Sequence, residues 1–508
     1  MSALRVWLLT AFVPVGALAA SSTMPLTPAE DYAKARAHVE SRAGSEPARR
    51  DRAKNVILFV GDGMSITTIT AARILEGQRR GGLGEDNRLS FEDFDHTALV
   101  RTYSANQQTS DSAPTATAMV TGHHANDGAL SVAHTVGENE ARADVVRAGS
   151  VATLLEQAEE RGLSTGVVTT TRITHATPAS TYAHTPNRDW EYDAPVAPLG
   201  DLPDIAAQLI ARQKTGNGLE VVLAGGRQML LPQTVTDPEY PAQRGLRRDG
   251  RNLVDEWVAA QPGSQFVWNK AQFDAIDAGR VGHLLGLFEP SHLQYETDRA
   301  RDGAGEPALA DLTRKAIDVL KRNKRGYFLL VEGGRIDHAH HAGNAYRALT
   351  DTIAFSDAVR AAAQATSAND TLILVTADHS HTLTMAGYPG RGNPILGLAK
   401  GPDAKDYFRD TQGKPYATLS YANGPGFALV EDGAERGRLP VAPGRDRDLS
   451  QVNTQAEGYY QESLVGLPGE THGGDDVALY ARGPGARLVR GSIDQNEIYH
   501  VMRRALGF

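Results

Sequence analysis

Apolar positions along the chain form short runs that alternate with longer amphipathic stretches. The short runs are rich in β-branched residues and end at glycine or a polar turn; they cover residues 55–60, 165–170, 220–224, 327–331 and 371–376. The stretches between them repeat apolar residues with helical spacing, as in residues 151–161, 203–212, 308–322 and 345–363. Strands that alternate with helices predict an α/β fold with a doubly wound, mostly parallel central sheet flanked by helices.

The alternating pattern weakens between residues 384 and 469, where Gly, Pro and Arg accumulate. We expect a small, loop-rich, crown-like insertion over 384–469, set into a main α/β domain of 51–383 and 470–508. Residues 21–50 are polar and alanine-rich, which predicts an N-terminal arm that is helical or loosely structured.

The first 20 residues have the pattern of an export signal. They carry one Arg, an apolar run over residues 6–15, and the small-x-small sequence Ala17-Leu18-Ala19. This indicates a secretory signal peptide cut near Ala19 or Ala20. The alternative, a membrane anchor, needs about 20 apolar residues, and this run is shorter and contains Pro14. The C-terminus lacks a hydrophobic tail, so we expect an exported, periplasmic or secreted protein with no membrane span or lipid anchor.

Composition narrows the possible chemistry. The 508 residues include 52 Lys+Arg and 61 Asp+Glu, a formal net charge of −9, which argues against nucleic acid as a specific partner. The chain has no cysteine. Disulfides, thiolate metal sites and a cysteine nucleophile are therefore excluded.

Carboxylates follow three of the predicted strands. Asp62 follows the first, Glu332 ends the fourth, and Asp378 with His379 follows the fifth. Ligands of open α/β sheets bind beyond the carboxyl ends of the strands, so we expect these side chains to converge.

Further metal-binding residue types occur close to these strand ends or downstream. Asp337 and His341 have the i,i+4 spacing that places two side chains on one side of a helical turn, and His472 follows much later in a glycine-rich segment. An isolated histidine is more often structural than a ligand. Carboxylates and imidazoles together, without thiolates, favour a site for Zn²⁺ and Mg²⁺.

Ser112 is a candidate nucleophile. It precedes Pro114 and a helix-forming run, which predicts a position at or beside a helix N-terminus, where backbone N–H groups favour a phosphoryl group. The alternative is a serine that only caps the helix. Gly61-Asp62-Gly63 suggests a dinucleotide-binding loop, but Ile66 breaks the GxGxxG pattern and no GxxxxGK[ST] occurs.

Eight ordered stretches carry a close family resemblance. They are NVILFVGDGM, RTYSANQQTSDSAPTATAMVTG, THATPASTYAHTPNRDWEYD, VVLAGGR, GLFEP, GYFLLVEGGRIDHAHH, LVTADHSHTLTMAGYPGRG and THGGDDVALYARGPGA. They span roughly residues 50–505, and together they resemble the alkaline phosphatases, in particular the animal-type branch. The resemblance implies a metal-dependent hydrolase of phosphate monoesters that forms a homodimer.

The resemblance also implies roles for individual residues. Ser112 would be the nucleophile that becomes phosphoserine, and Arg188 would clamp two phosphoryl oxygens, a geometry that suits a guanidinium. The metal ligands would be Asp337, His341 and His472 for one zinc, Asp62, Asp378 and His379 for the second, and Asp62, Thr177 and Glu332 for magnesium.

Two features of the resemblance are less complete. His175 stands where the well-studied bacterial type has aspartate, so we expect loosely held magnesium, with imidazole protonation near its reference pKa of about 6.5 opposing the cation. Animal-type members also carry a structural calcium. Its possible ligands here are Glu239, the Phe288 carbonyl, Glu289 and, after a gap, Glu306; the alternative is that these acids simply face solvent.

Other functions of related chemistry remain to be weighed. A sulfatase needs C/S-x-P-x-R, and Ser112-Ala113-Pro114-Thr115-Ala116 lacks the Arg. Phosphodiesterases of this superfamily usually have threonine as the nucleophile, which favours a monoesterase here. A phosphate-binding protein without catalysis is the non-enzymatic alternative, and the complete ligand set argues against it.

Overall fold

The computed structural model describes residues 26–44, 51–427 and 448–508. The predicted signal peptide, residues 1–20, lies outside the described residues. Among the helices of the described ranges, none is long and apolar enough to cross a membrane.

Strands and helices alternate along most of the chain, as the sequence pattern predicts. The strands are β1 Asn55–Gly61, β2 His96–Arg101, β3 Ser164–Arg172, β4 Val221–Gly225, β5 Ser264–Val267, β6 His283–Leu287, β7 Tyr327–Gly333, β8 Thr371–Thr376, β9 Ser380–His381, β10 Leu383–Met385, β11 Leu419–Gly424, β12 Ser463–Gly466, β13 His472–Gly473, β14 Val477–Arg482 and β15 Gly491–Asp494. The helices are α1 Pro28–Ala43, α2 Ile66–Arg79, α3 Ser112–Thr121, α4 Ala143–Gly149, α5 Leu154–Glu160, α6 Ala176–Ala179, α7 Asp193–Val196, α8 Ile205–Arg212, α9 Arg227–Leu230, α10 Leu253–Ala260, α11 Lys270–Ala275, α12 Glu296–Arg299, α13 Leu309–Leu320, α14 Arg335–His341, α15 Ala345–Ala365 and α16 Glu497–Leu506.

Ten strands form the central sheet, in the order β15-β2-β14-β8-β1-β7-β3-β4-β6-β5. Only β14 runs antiparallel to its neighbours β2 and β8. Every residue of β1, β7 and β8 is buried, which requires cover on both faces of the sheet. The predicted doubly wound, mostly parallel α/β fold is confirmed.

The strand order places the carboxyl ends of β8, β1, β7 and β3 side by side. In the register, Val60 of β1 lies opposite Thr376 of β8 and Glu332 of β7, and Thr169 of β3 lies opposite Glu332. The residues that follow these strands therefore emerge at one edge of the sheet. This edge carries the candidate site.

The segment predicted as an insertion contains a small second sheet. It has the order β10-β11-β12, and β11 runs antiparallel to β10 and parallel to β12. Residues 428–447 of this segment lie outside the described residues.

The described part of the N-terminal arm is helical. α1 begins at a capping box in which Thr27 and Glu30 exchange hydrogen bonds, and it buries Val39 and Ala43. It packs against α16 of the same chain.

Candidate active site and metal centre

Ser112 is the first residue of α3, as the sequence indicates. Asp111 caps the helix by accepting a hydrogen bond from the backbone N–H of Ala113 at 3.1 Å. Ser112 is buried, and its Oγ lies 3.1 Å from His379 Nε2 and 3.5 Å from Asp62 Oδ1. The hydroxyl thus combines a helix N-terminus with a carboxylate and an imidazole, which is more than a capping serine requires.

Asp62, Asp378 and His379 form one ligand group beside Ser112. His379 Nε2 lies 3.4 Å from Asp62 Oδ1 and 3.3 Å from Asp378 Oδ2, and all three side chains are fully buried. The turn after β1 needs glycine because Gly63 has φ +67°, and a Cβ there would lie 2.3 Å from the His381 ring. The backbone N–H of Gly63 donates to Asp378 Oδ1 at 3.0 Å and so links two strand ends.

Asp337, His341 and His472 form a second group. Asp337 Oδ1 lies 3.3 Å from His341 Nε2 and 3.4 Å from His472 Nε2. The Nδ1 atoms of these histidines contact backbone carbonyls, that of Glu470 at 2.5 Å and that of Ser110 at 2.8 Å. A histidine whose Nδ1–H binds a carbonyl presents Nε2 as a free ligand atom, which is the arrangement found around metals.

A third group lies on the β7 side of Asp62. Ligand atoms of Asp62, His175 and Glu332 lie within 4.8 Å of one another. The short helix α6 begins directly after His175, and its second residue, Thr177, is buried. Glu332 Oε2 accepts a hydrogen bond from Thr171 at 3.0 Å and another from Thr169.

Arg188 links Asp111, the residue before Ser112, to His175 of the third group. Its guanidinium is paired with Asp111, the residue that caps α3, and it donates to His175 Nε2 at 2.8 Å. The side chain is thereby held beside the nucleophile. Of the five N–H donors of a guanidinium, these two contacts leave three.

The charges of the site depend strongly on burial. Burial, together with the charges of Asp378 and Asp337, raises the pKa of Asp62 well above its usual value. Burial raises the pKa of Glu332 to about 7. Burial would also raise the pKa of Asp337, but contacts with His341, His381 and His472 hold it well below its usual value. Nearby cations would stabilise the ionised form of these closely spaced, buried carboxylates.

Burial disfavours the protonated form of two imidazoles of the site. It lowers the pKa of His379 well below its usual value, and the nearby His472 adds to this effect. Burial, Arg188 and His338 likewise hold the pKa of His175 well below its usual value. The expectation that His175 is protonated near pH 6.5 is therefore wrong, because a buried imidazole beside a guanidinium resists a second positive charge.

Two residues of the site were missed in the sequence. His381 donates to Asp337 Oδ1 at 2.7 Å through Nε2 and to Glu470 Oε2 at 2.5 Å through Nδ1, and both His381 and Glu470 are buried. Burial would lower the pKa of His381, but Glu470 and Asp337 raise it to about 10. The i,i+2 spacing of His379 and His381 was the available signal, since it predicts one face of a strand.

A separate cluster of acids contains residues that the sequence analysis names as calcium ligands. Ligand atoms of Glu239, Glu289 and Asp302 lie within 4.8 Å of one another, and Arg227 donates to Glu239 at 2.8 Å. Phe288, which precedes Glu289, is buried.

Glu306 lies beside this cluster but is not one of its three grouped acids. Its carboxylate accepts hydrogen bonds from the backbone N–H of Gln294 at 3.0 and 3.1 Å and also interacts with Glu289. Asp302 is the third acid of the cluster, and it lies in the turn over residues 300–305. The only signal for Asp302 in the sequence was its place before a glycine-rich turn.

Comparisons with known proteins agree with this geometry. The alkaline phosphatase family model matches residues 53–508. The tissue-nonspecific alkaline phosphatase of Gallus gallus is 44% identical over 462 residues, covering 89% of this chain and 84% of that protein. The alkaline phosphatase of Gadus morhua is 41% identical, covering 90% of this chain and 92% of that protein.

Solved structures show the same architecture. The crystal structure of Thermus thermophilus alkaline phosphatase superimposes with a TM-score of 0.62 at 25% sequence identity, covering 92% of this chain and 95% of that one. A family model over most of the chain and relatives above 40% identity along nearly its whole length decide the assignment. The chain belongs to the alkaline phosphatase family and is a phosphomonoester hydrolase.

Proposed function

We propose that the chain is an exported alkaline phosphatase that hydrolyses phosphate monoesters through a phosphoserine on Ser112, with two zinc ions and one magnesium ion. The observation that carries the proposal is that the buried Ser112 hydroxyl contacts Asp62 and His379, and that Asp62 belongs to two neighbouring groups of ligand atoms, with a further group around Asp337. The groups are Asp337, His341 and His472 for the first zinc, Asp62, Asp378 and His379 for the second, and Asp62, Thr177 and Glu332 for magnesium, with His175 beside it.

Buried carboxylate oxygens without hydrogen-bond partners in the described ranges indicate that these residues fit metal ions. Asp62 Oδ2 and Glu332 Oε1 are buried and have no hydrogen-bond partner among the described residues. A buried carboxylate oxygen without a donor is costly, and a bound cation removes that cost. The first two groups combine carboxylate and imidazole, which suits zinc, whereas the oxygen-rich third group suits magnesium.

Metal ions in these groups would neutralise the carboxylates, lower the pKa of the Ser112 hydroxyl and stabilise negative charge on the phosphoryl oxygens. Ser112 Oγ attacks phosphorus, forming a serine–phosphate bond as the ester oxygen leaves as an alcohol. Water then attacks the phosphoserine, which releases inorganic phosphate and restores the serine hydroxyl. Ser112 stands at the N-terminus of α3, where the helix dipole favours the negative phosphoryl group in both steps.

Arg188 supports this chemistry by binding the phosphoryl group. Asp111 and His175 fix its guanidinium, so little side-chain entropy is lost when its remaining donors bind two phosphoryl oxygens. A preorganised cation that stabilises charge on the transferring group is a major source of rate enhancement.

The phosphoserine is tested by Ser112→Ala. The variant should lose several orders of magnitude in kcat, and ³²P from labelled substrate should be trapped at acid pH on the wild type but not on the variant. Ser110→Ala, which removes the hydroxyl of a neighbouring serine in the same motif, serves as the control and should still be labelled. Labelling of Ser112→Ala would contradict the assignment.

Metal dependence and substrate class are tested together. Chelation should abolish turnover of p-nitrophenyl phosphate, and zinc with magnesium should restore it better than either ion alone. Bis(p-nitrophenyl) phosphate should be a much poorer substrate, because a diester lacks the second ionisable oxygen. Full activity after chelation, or preference for the diester, would contradict the proposal.

Further parts of the proposal rest on the sequence and the family. We propose that Glu239, Glu289 and Asp302 hold a calcium ion, that residues 1–20 are removed on export to the periplasm or medium, and that the enzyme is a homodimer. We also propose that 384–469 forms a crown-like insertion in the catalytic domain. Mass spectrometry of the exported protein and light scattering in solution test the cleavage and the dimer.

A further inference from the structure

Glu470 connects three segments of the chain next to the group of Asp337, His341 and His472, the residues proposed for the first zinc. Its backbone N–H donates to the carbonyl of His341 at 2.9 Å, and its own carbonyl contacts His341 Nδ1 at 2.5 Å. Its side chain contacts His381 Nδ1 at 2.5 Å through Oε2, while Oε1 accepts hydrogen bonds from Thr382. Glu470 thus joins the end of α14 to β9 and to the segment that leads into His472.

The contacts of Glu470 continue to the proposed ligands themselves. His381 Nε2 lies 2.7 Å from Asp337 Oδ1, the same oxygen that lies 3.3 Å from His341 Nε2. Both ring nitrogens of His381 contact carboxylates, so this histidine holds Asp337 rather than presenting a free ligand atom. Glu470 consequently acts on Asp337 through His381 and on His341 directly.

Burial makes this arrangement rigid. Glu470 is 2% exposed and His381 is 1% exposed. Oε1 of Glu470 is fixed by the Thr382 backbone N–H at 2.7 Å and by the Thr382 hydroxyl at 2.6 Å. A carboxylate held by two donors on one oxygen can fix the orientation of a histidine bound to the other.

We propose that Glu470 is a positioning residue for the first zinc, acting through His381 on Asp337 and through its carbonyl on His341. This inference rests on the proposed function, since it assumes that Asp337, His341 and His472 hold that ion. Within the described residues, none of the hydrogen bonds of Glu470 reaches Asp62, Asp378 or His379. Its loss should therefore affect one zinc and spare the other.

The test is Glu470→Gln in the full-length holoenzyme, which removes the carboxylate charge but keeps both backbone contacts to His341. Zinc affinity is measured at pH 7.5 by competition with a chelator, and the cobalt-substituted protein is followed by its visible absorption. One ion should bind 10- to 100-fold more weakly, the usual effect of removing such a partner, while the second stays within about threefold of wild type. The cobalt spectrum of the first ion should change, and excess zinc should restore most of kcat.

Glu159→Gln is the matched control. It makes the same chemical change at a buried glutamate in α5, which leads into the opposite end of β3, and it should leave both zinc affinities unchanged. If Glu470→Gln does not fold, Thr382→Val removes one donor to Oε1 and should weaken the same ion by a smaller factor. Wild-type affinities in the variant that folds, or equal weakening of both ions, would overturn the inference. A wild-type protein that binds fewer than two zinc ions would instead overturn the proposed function.

Discussion

Glu159 should make the folded protein less stable at alkaline pH than at acid pH. Its side chain lies in α5 and is 7% exposed. Burial, followed by the charge of Glu220, raises its pKa from 4.5 to about 8, although hydrogen bonds from Thr165 and from residues 217 and 218 oppose this rise. The folded state therefore prefers the protonated acid, whereas the unfolded chain ionises near pH 4.5.

The sign and size of the effect follow from linkage. A raised pKa contributes stability that is complete below about pH 4.5 and is lost as the pH rises through about 8. A pKa of about 8 in the folded protein against 4.5 in the unfolded chain, at about 1.36 kcal/mol per pH unit, gives an upper limit near 5 kcal/mol. Because Glu220 titrates in the same range, with its pKa raised to about 7, we expect about 3 to 5 kcal/mol.

Glu159→Gln removes this dependence while keeping the shape of the side chain. At pH 5 the variant and the wild type should unfold within about 1 kcal/mol of each other, and at pH 9.5 the variant should be the more stable by most of the calculated amount. The measurement is denaturant unfolding at fixed zinc and magnesium from pH 5 to pH 10. Glu160→Gln, at the exposed next position of the same helix, is the control and should follow the wild type. Parallel curves for Glu159→Gln and wild type would refute the reasoning.

Three further predictions concern the proposed site and the acid cluster. Arg188→Lys should lower kcat/KM about 10- to 1,000-fold, because a lysine cannot donate to Asp111, His175 and two phosphoryl oxygens together. Inhibition by phosphate should weaken in parallel, and an unchanged inhibition constant would contradict this prediction. His175→Asp should strengthen magnesium retention and reduce activation by added Mg²⁺ at fixed zinc, whereas Thr177→Ala should do the opposite. Identical activation curves for His175→Asp and the wild type would exclude an influence of residue 175. Asp302→Asn should abolish the rise in melting temperature caused by added calcium, while Glu306→Gln should keep it; the reverse order would show that Glu306 is the ligand.

The central part of the fold was predictable because its strands are buried on both faces. The runs that became β1, β7 and β8 are continuously apolar, and such runs are distinct in a sequence. The peripheral strands were missed because their signals are weak. β2 alternates exposed and buried residues over His96–Arg101, and β5 is an edge strand of four residues with a single buried position.

The site was predictable to the extent that residues follow strand ends or share a helical turn. The α/β pattern alone placed Asp62, Glu332 and Asp378 at one edge, and the i,i+4 rule placed Asp337 beside His341. The position of Arg188 came only from family resemblance, because its loop carries no periodic signal. Glu470 and Asp302 could not be predicted, since their positions depend on how loops return to the sheet over long distances in the chain.

The strand order explains why Asp62 is the residue that the proposed zinc and magnesium groups share. β1 lies between β8 and β7, so Asp62 emerges between Asp378 on one side and Glu332 on the other. Each flanking carboxylate reaches only the group on its own side, whereas Asp62 belongs to both. Its Oδ1 faces His379 and its Oδ2 is left without a partner among the described residues, on a side chain that is fully buried. Replacing Asp62 should therefore weaken two metal ions together, whereas replacing Asp378 or Glu332 should weaken mainly one, a difference set by the topology of the sheet.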